Sequence, residues 1–112
     1  MKLLFVCDPL DHFKIYKDTT FAMMREAAAR GHALHACLPQ DVTWQSGARV
    51  SARTREIVLT GDARDWYRAS VPAPTALADF GAVLMRKDPP FDSEYFYATH
   101  LLEQAEREGA RV

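Results

Sequence analysis

Leu3-Leu4-Phe5-Val6-Cys7, followed at once by Asp8-Pro9, is the stretch that decides the fold. A continuous apolar run of this length suits a strand covered on both faces, because a strand with one wet face alternates apolar and polar residues. The next pattern has a different period. Phe21, Met24 and Ala28 share one helical face, Asp18 or Thr19 can cap the helix start, and Gly31 supplies its stop. Ala33 to Leu38 then reads as a second strand, ended by Pro39. Strand, helix and strand in succession form a β-α-β unit, which implies a parallel pair with a right-handed crossover.

Working outward, Val42-Thr43-Trp44 and Ala48 to Ala52 flank Gln45-Ser46-Gly47 and read as a hairpin. Arg55 to Leu59 continues as another strand. Asp65 to Arg68 reads as a short helical turn, and Ser70 to Pro74 as a proline-bearing loop. Leu77 and Phe80 lead into a short buried strand, Gly81 to Met85. Asp92 caps a long helix that reaches Glu108, with Phe91 and Phe96 at the positions of a hydrophobic staple. Phe96, Leu101, Leu102 and Ala105 make its apolar face, Glu103 and Arg107 an i,i+4 pair, and Gly109 its stop. Ala110-Arg111-Val112 reads as the first residues of a further strand. The expected fold is a three-layer α/β/α Rossmann-like domain with a mostly parallel sheet and an inserted β-hairpin around Gly47.

Length and composition bound the function. A chain of 112 residues is one domain's worth, and 48% hydrophobic with 26% charged residues is ordinary for a soluble globular protein. The formal net charge of −1 comes with interspersed acids and arginines, so no nucleic-acid footprint is visible. No apolar run approaches membrane-spanning length, and the apolar residues before Asp8 are too few for a signal sequence. A cytoplasmic location is the default expectation. Cys7 and Cys37 fall in apolar segments and read as buried packing thiols.

The chemistry concentrates where strands end. Gly81 to Met85 runs into Arg86-Lys87-Asp88-Pro89-Pro90-Phe91-Asp92. In an open α/β sheet, ligands bind beyond the carboxyl ends of the strands. An arginine there, held by a rigid Pro-Pro segment, is a preorganised fork for a carboxylate or phosphate; a surface ion-pair cluster is the plainer reading. Lys17, Asp18, Thr19 and Thr20 open the first helix, where the helix N-terminus attracts carboxylates and hydroxyls add donors; simple capping can coexist with that role. The first β-α loop offers Asp8, Pro9, Asp11 and Lys14 but no glycine, which argues against a dinucleotide or triphosphate cradle. Asp8 equally suits a turn former. His12, His32, His35 and His100 are scattered, with no zinc spacing, and no serine nucleophile elbow is present.

Taken together, Cys7-Asp8-Pro9, Lys17-Asp18-Thr19-Thr20-Phe21-Ala22-Met23-Met24, Met85 to Asp92 and Tyr97-Ala98-Thr99 resemble the amino-terminal domain of bacterial glutathione synthetase. The resemblance runs from Lys2 to Val112 and is looser from Asp41 to Leu77. Thr19-Thr20 stands where that family usually has serines, a swap that keeps both hydroxyls. The resemblance implies that residues 1–112 are the pre-ATP-grasp substrate domain of a ligase that joins γ-glutamylcysteine to glycine through an acyl phosphate. It implies a substrate-binding role for Arg86, flanked by Lys17, Asp18, Thr19 and Thr20, with no catalytic residue in this segment. ATP and Mg²⁺ are implied for the complete enzyme, held by later domains, and none for this chain alone, which is then expected not to catalyse ligation. A homo-oligomer, a tetramer in the family, is implied as well, with no nucleic-acid or membrane partner.

Readings of another class are a stand-alone, non-catalytic α/β interaction or regulatory module, and the nucleotide-free half of a glycosyltransferase, the latter supported only by the fold. A receiver-like module needs an aspartate at the end of its third strand. The strand ending in Arg86-Lys87 carries the wrong charge for that.

Overall fold

The computed structural model describes residues 1–16, 18–44, 48–87 and 93–112, without the side chain of residue 94. Lys17, the Gln45-Ser46-Gly47 turn, the Asp88-Pro89-Pro90 segment, the Phe91 staple and the Asp92 cap lie outside the described residues. Among the described residues the strands are β1 (Lys2–Cys7), β2 (Ala33–Cys37), β3 (Val42–Thr43), β4 (Ser51–Leu59), β5 (Tyr67–Ala69), β6 (Ala73–Ala76) and β7 (Ala82–Arg86). The α-helices are α1 (Thr19–Ala29) and α2 (Ser93–Arg107).

The central strand β1 lies between β2 and β7, parallel to both, with Leu4 opposite His35 on one side and Val83 on the other. Its apolar run is explained by its two covers. Phe5 and Cys7 face a core that includes Met24 and Ala27 of α1, while Leu4 and Val6 face a core that includes Leu101, Leu102 and Ala105 of α2. Period-2 geometry sends alternate side chains to opposite faces, so both sets must be apolar. The α/β, three-layer, Rossmann-like reading therefore holds for the described chain.

The sheet is mixed. Only β2-β1-β7 is parallel; β4 runs antiparallel to β2, β3, β5 and β6. The amino-terminal part of β4 pairs with β3 and β6, and its carboxyl-terminal part with β2 and β5. The hairpin partners are β3 and β4, with Val42 opposite Ala52, and Trp44 Nε1 donates to the Ala48 carbonyl at 2.8 Å across the connection.

Several local expectations are corrected. Tyr67 and Arg68 belong to a strand, β5, not to a helical turn, and the proline-bearing segment contains β6, with Pro74 opposite Arg53. Pro74 is tolerated because β6 pairs only with β4 and is an edge strand. On α1 the inward face is Thr20, Met24 and Ala27, while Ala28 is exposed. On α2 the inward face starts at Ala98, and Phe96 is 57% exposed. Ala98, Leu101, Leu102 and Ala105 follow the i, i+3, i+4, i+7 spacing that Phe96 breaks. Arg107 donates to Gln104 instead of pairing with Glu103. Residues 110–112 are not in a strand, although Val83 N donates to the Arg111 carbonyl at 2.6 Å, beside β7.

Both helices end the same way. His32 N donates to the Ala27 carbonyl and Gly31 N to the Ala28 carbonyl; Ala110 N and Gly109 N repeat the pattern on Ala105 and Glu106. This pair of hydrogen bonds needs a left-handed residue after the helix, which Gly31 (φ 84°) and Gly109 (φ 105°) supply.

Candidate functional site

The chain leaves β1 for α1 and β2 on one side, then returns on the other side as β7. That change of direction opens a crevice at the carboxyl ends of β1 and β7, the place where open α/β sheets bind ligands. The register sets Cys7 opposite Arg86, so the next residues, Asp8 and Lys87, emerge side by side. Lys87 Nζ lies 2.8 Å from Asp8 Oδ1, with side chains 18% and 19% exposed respectively. Asp8 is thus an ion-pair partner at the strand end, in addition to standing at a turn.

Arg86 points to the start of α1. Its Nε donates to Thr20 Oγ1 at 3.5 Å, and Thr20 is buried. Asp18 is the N-cap residue: its Oδ1 accepts from Phe21 N at 3.1 Å, satisfying an amide that the helix start leaves open. Thr19 is exposed. Of the residues singled out in sequence, Arg86 and Thr20 meet directly and Asp18 is spent on the cap. Thr19 faces solvent, and Lys17 lies outside the described residues.

The thiols here are poor nucleophiles. Burial, then the negative charges of Asp8 and Asp18, push Cys7 up to about 12. Burial, then Asp41 and Cys7, push Cys37 up as well. A nucleophilic cysteine needs the opposite, a depressed value. His35 is pulled down by burial, with Glu56 opposing and Lys2 assisting; its ring meets Phe80 edge-on at 5.2 Å.

Two clefts border the strand ends. One, of about 290 Å³, is lined by Cys7, Asp8, Pro9, His12, Leu38 and Lys87 among others. The other, of about 380 Å³, lies between β4, β5 and the Pro9–Asp11 turn, and its walls carry Arg53, Arg55, Asp11 and Tyr67. Arg86 lines neither. The sequence suggests one strand ending at Ala52 and another from Arg55, whereas a single strand, Ser51–Leu59, carries both Arg53 and Arg55. Their alternation within a single strand from Ser51 is the signal that finds them.

The β1–α1 connection has acids and a proline where a phosphate cradle needs glycines and open amides. Among the described residues no three His, Cys, Asp or Glu side chains converge as metal ligands. No described helix is long and apolar enough to cross a membrane.

Fold and strand ends define an α/β Rossmann-like domain whose crevice carries cations on side chains, not a glycine-rich nucleotide loop. The sequence model of the family described as "Prokaryotic glutathione synthetase, N-terminal domain" matches residues 1–112, and the chain belongs to that family. It is 58% identical to a glutathione synthetase of Ralstonia nicotianae over 112 residues, covering all of this chain and 34% of that protein. A glutathione synthetase of Nitrosomonas europaea is 50% identical over 116 residues, covering 36% of that protein, and one of Salmonella typhimurium is 44% identical over 112 residues, covering 35%. Each match takes in the whole of this chain, which spans about a third of the length of these relatives.

Proposed function

We propose that this domain forms the peptide-substrate side of an ATP-dependent ligase that joins γ-glutamylcysteine to glycine. Arg86 carries the reading. It stands at the carboxyl end of β7 and is steered by the Thr20 hydroxyl toward the start of α1, where a substrate carboxylate also gains from the helix N-terminus. A guanidinium makes a bidentate pair with a carboxylate that an ammonium does not reproduce. In the same reading Thr19 and Thr20 supply hydroxyl donors, Asp18 fixes the helix start, and Lys17, just before it in sequence, supplies a second positive charge.

ATP and Mg²⁺ serve the ligation in the complete synthetase and are held outside these residues. The 112-residue chain alone does not ligate. A cytoplasmic homo-oligomer, a tetramer, goes with the same reading.

The test is Arg86→Ala in a complete synthetase carrying this domain. Losing a charge-assisted pair of roughly 1.5–3 kcal/mol raises KM for γ-glutamylcysteine about ten-fold or more, with KM for ATP little changed. An unchanged dipeptide KM in a folded variant overturns the role of Arg86. Phosphate release from ATP by the isolated chain with γ-glutamylcysteine and glycine overturns the division of labour.

A further inference from the structure

Arg86 meets Thr20 only while the first turn of α1 keeps one rotation about the helix axis. Consecutive residues of a helix point about 100° apart around that axis, so Thr20 and Phe21 face different neighbours. Thr20 is buried, and its Oγ1 accepts from Arg86 Nε at 3.5 Å. Phe21 turns its ring to Trp66 instead, edge-on, with centroids 5.2 Å apart and planes at 88°. The amide of Phe21 is also the one that Asp18 Oδ1 caps at 3.1 Å. The first turn is thus held from two directions, through Thr20 by Arg86 and through Phe21 by Trp66.

Trp66 is itself built into a braced turn. It ends the connection from β4 to β5, where Thr60 N donates to the Trp66 carbonyl at 3.0 Å and Thr60 Oγ1 to the Asp65 carbonyl at 2.6 Å. Asp65 pairs in turn with Arg68 of β5 at 2.8 Å. Phe13, from the β1–α1 connection, stacks on the indole at 5.5 Å with planes 16° apart. The indole is therefore wedged between the connection and the helix that it leads into, and it is only 7% exposed. Stacked and edge-on arrangements are those that ring quadrupoles favour, so these contacts fix orientation as well as distance.

We propose that Trp66 is a positioning residue of the substrate site: through Phe21 it sets the rotation of the first turn of α1, and through that turn the meeting of the Thr20 hydroxyl with the Arg86 guanidinium. The role rests on the reading of Arg86 as the group that takes a substrate carboxylate. Trp66 touches no substrate in it. A guanidinium pairs bidentately only within a narrow range of orientations, and a small misplacement of a binding group by a distant residue carries a large cost. The β4–β5 turn, far along the chain from both Thr20 and Arg86, thereby belongs to the site.

The experiment uses a complete synthetase carrying this domain, with KM measured for γ-glutamylcysteine and for ATP. Trp66→Leu keeps an apolar side chain but removes the ring. It is expected to raise KM for γ-glutamylcysteine about five-fold or more, with KM for ATP changed by less than about two-fold. Phe21→Leu cuts the same contact from the helix side and gives the same split, which keeps the test open should Trp66→Leu fail to fold. Trp66→Phe, which keeps a ring, restores most of the dipeptide KM. In an Arg86→Ala background Trp66→Leu adds nothing to the dipeptide KM, because it acts through Arg86. Glu108→Ala, a loss of one hydrogen bond in the core on the opposite face of the sheet, leaves that KM at the parent's value. An unchanged dipeptide KM in folded Phe21→Leu or Trp66→Leu, an equal rise in both KM values, or a full Trp66→Leu effect without Arg86 overturns the proposal. A normal dipeptide KM in Arg86→Ala overturns the Arg86 reading and the positioning role with it; a raised one there beside a normal one in Trp66→Leu overturns the positioning role alone.

Discussion

Glu108 Oε1, on the residue that closes α2, accepts a hydrogen bond from the backbone amide of Val50 at 2.7 Å, across 58 residues of sequence. Val50 is fully buried just before β4 begins, so its amide has little access to water. Gln104 Nε2 holds the other carboxylate oxygen at 3.2 Å. The contact locks the carboxyl end of α2 onto the start of the long strand that carries Arg53 and Arg55.

Glu108→Ala is therefore expected to leave a buried donor unpaired and to cost about 1–3 kcal/mol. Glu108→Gln, which keeps an acceptor oxygen, costs less. Urea unfolding checks this through the midpoint at unchanged slope. A midpoint for Glu108→Ala equal to the parent's shows that water replaces the carboxylate at no cost.

The Asp8–Lys87 pair ties the ends of β1 and β7 where the crevice opens. With side chains 18% and 19% exposed, it lies between exposed pairs, worth about 0–1 kcal/mol, and buried pairs, whose disruption costs about 3–5 kcal/mol. Each residue has a further interaction, so single substitutions overstate the pair. A double-mutant cycle with Asp8→Ala and Lys87→Ala is expected to give a coupling of about 1–2 kcal/mol. The coupling should change little between low and high salt, because partial burial limits screening. A coupling near zero shows that the two charges are solvated independently.

The two buried thiols contribute to a loss of stability at alkaline pH. Cys7 is raised from 9.0 to about 12, and Cys37 is raised also. Above about pH 9 the unfolded chain loses thiol protons that the folded chain retains. The folded state then binds more protons, so stability falls as pH rises, by up to about 1.4 kcal/mol per pH unit for each thiol. Below pH 8 this contribution is fully present. Thermal unfolding between pH 8 and 11 should show the decline, and Cys7→Ala should make it shallower, leaving the share of Cys37. At pH 8 a thiol reagent is expected to label neither cysteine in the native chain and both in denaturant. Fast native labelling of Cys7 rules out its burial as a neutral thiol.

The legible parts of this fold are those with a local cause. The apolar run of β1, the cap at Asp18 and the glycine stops at Gly31 and Gly109 are all properties of a few adjacent residues. The strand ending at Arg86 was legible for the same reason, and the meeting of Arg86 with Thr20 follows once β7 lies beside β1. β5 and β6 have no such signal. They are short and largely exposed, and exist because β4 offers them backbone partners, β5 directly after it in the chain and β6 some 19 to 25 residues on. On α2 the large aromatic Phe96 suggests an inward position, but helix geometry turns the small Ala98 to the sheet and leaves Phe96 exposed. The cleft beside Arg53 and Arg55 is not legible in the sequence because Asp11, which also lines it, comes from the β1–α1 connection more than forty residues away.

Trp66 separates two contributions at that connection. Its ring stacks on Phe13 at 5.5 Å, meets Phe21 edge-on at 5.2 Å and lies 4.7 Å from Tyr67, and it is buried in the α1-side core. It thereby joins the β1–α1 connection, α1 and β5. Beyond its ring, Tyr67 adds the hydroxyl bond to Asp11, which raises the tyrosine's own proton affinity above the ordinary value of 10.0. Trp66→Ala is expected to cost about 3–5 kcal/mol, the scale for truncating a core aromatic. Tyr67→Phe keeps the ring, loses one partly exposed bond and costs about 0.5–1.5 kcal/mol. The two variants also differ in what they release. In Tyr67→Phe the amides of residues 8–13 keep their protection and only the Asp11 carboxylate is freed, whereas in Trp66→Ala the whole connection loses its anchor. Hydrogen exchange on the two variants reads this directly. Equal loss of protection at residues 8–13 in both shows that the Asp11 bond, and not the aromatic packing, holds the connection against β5.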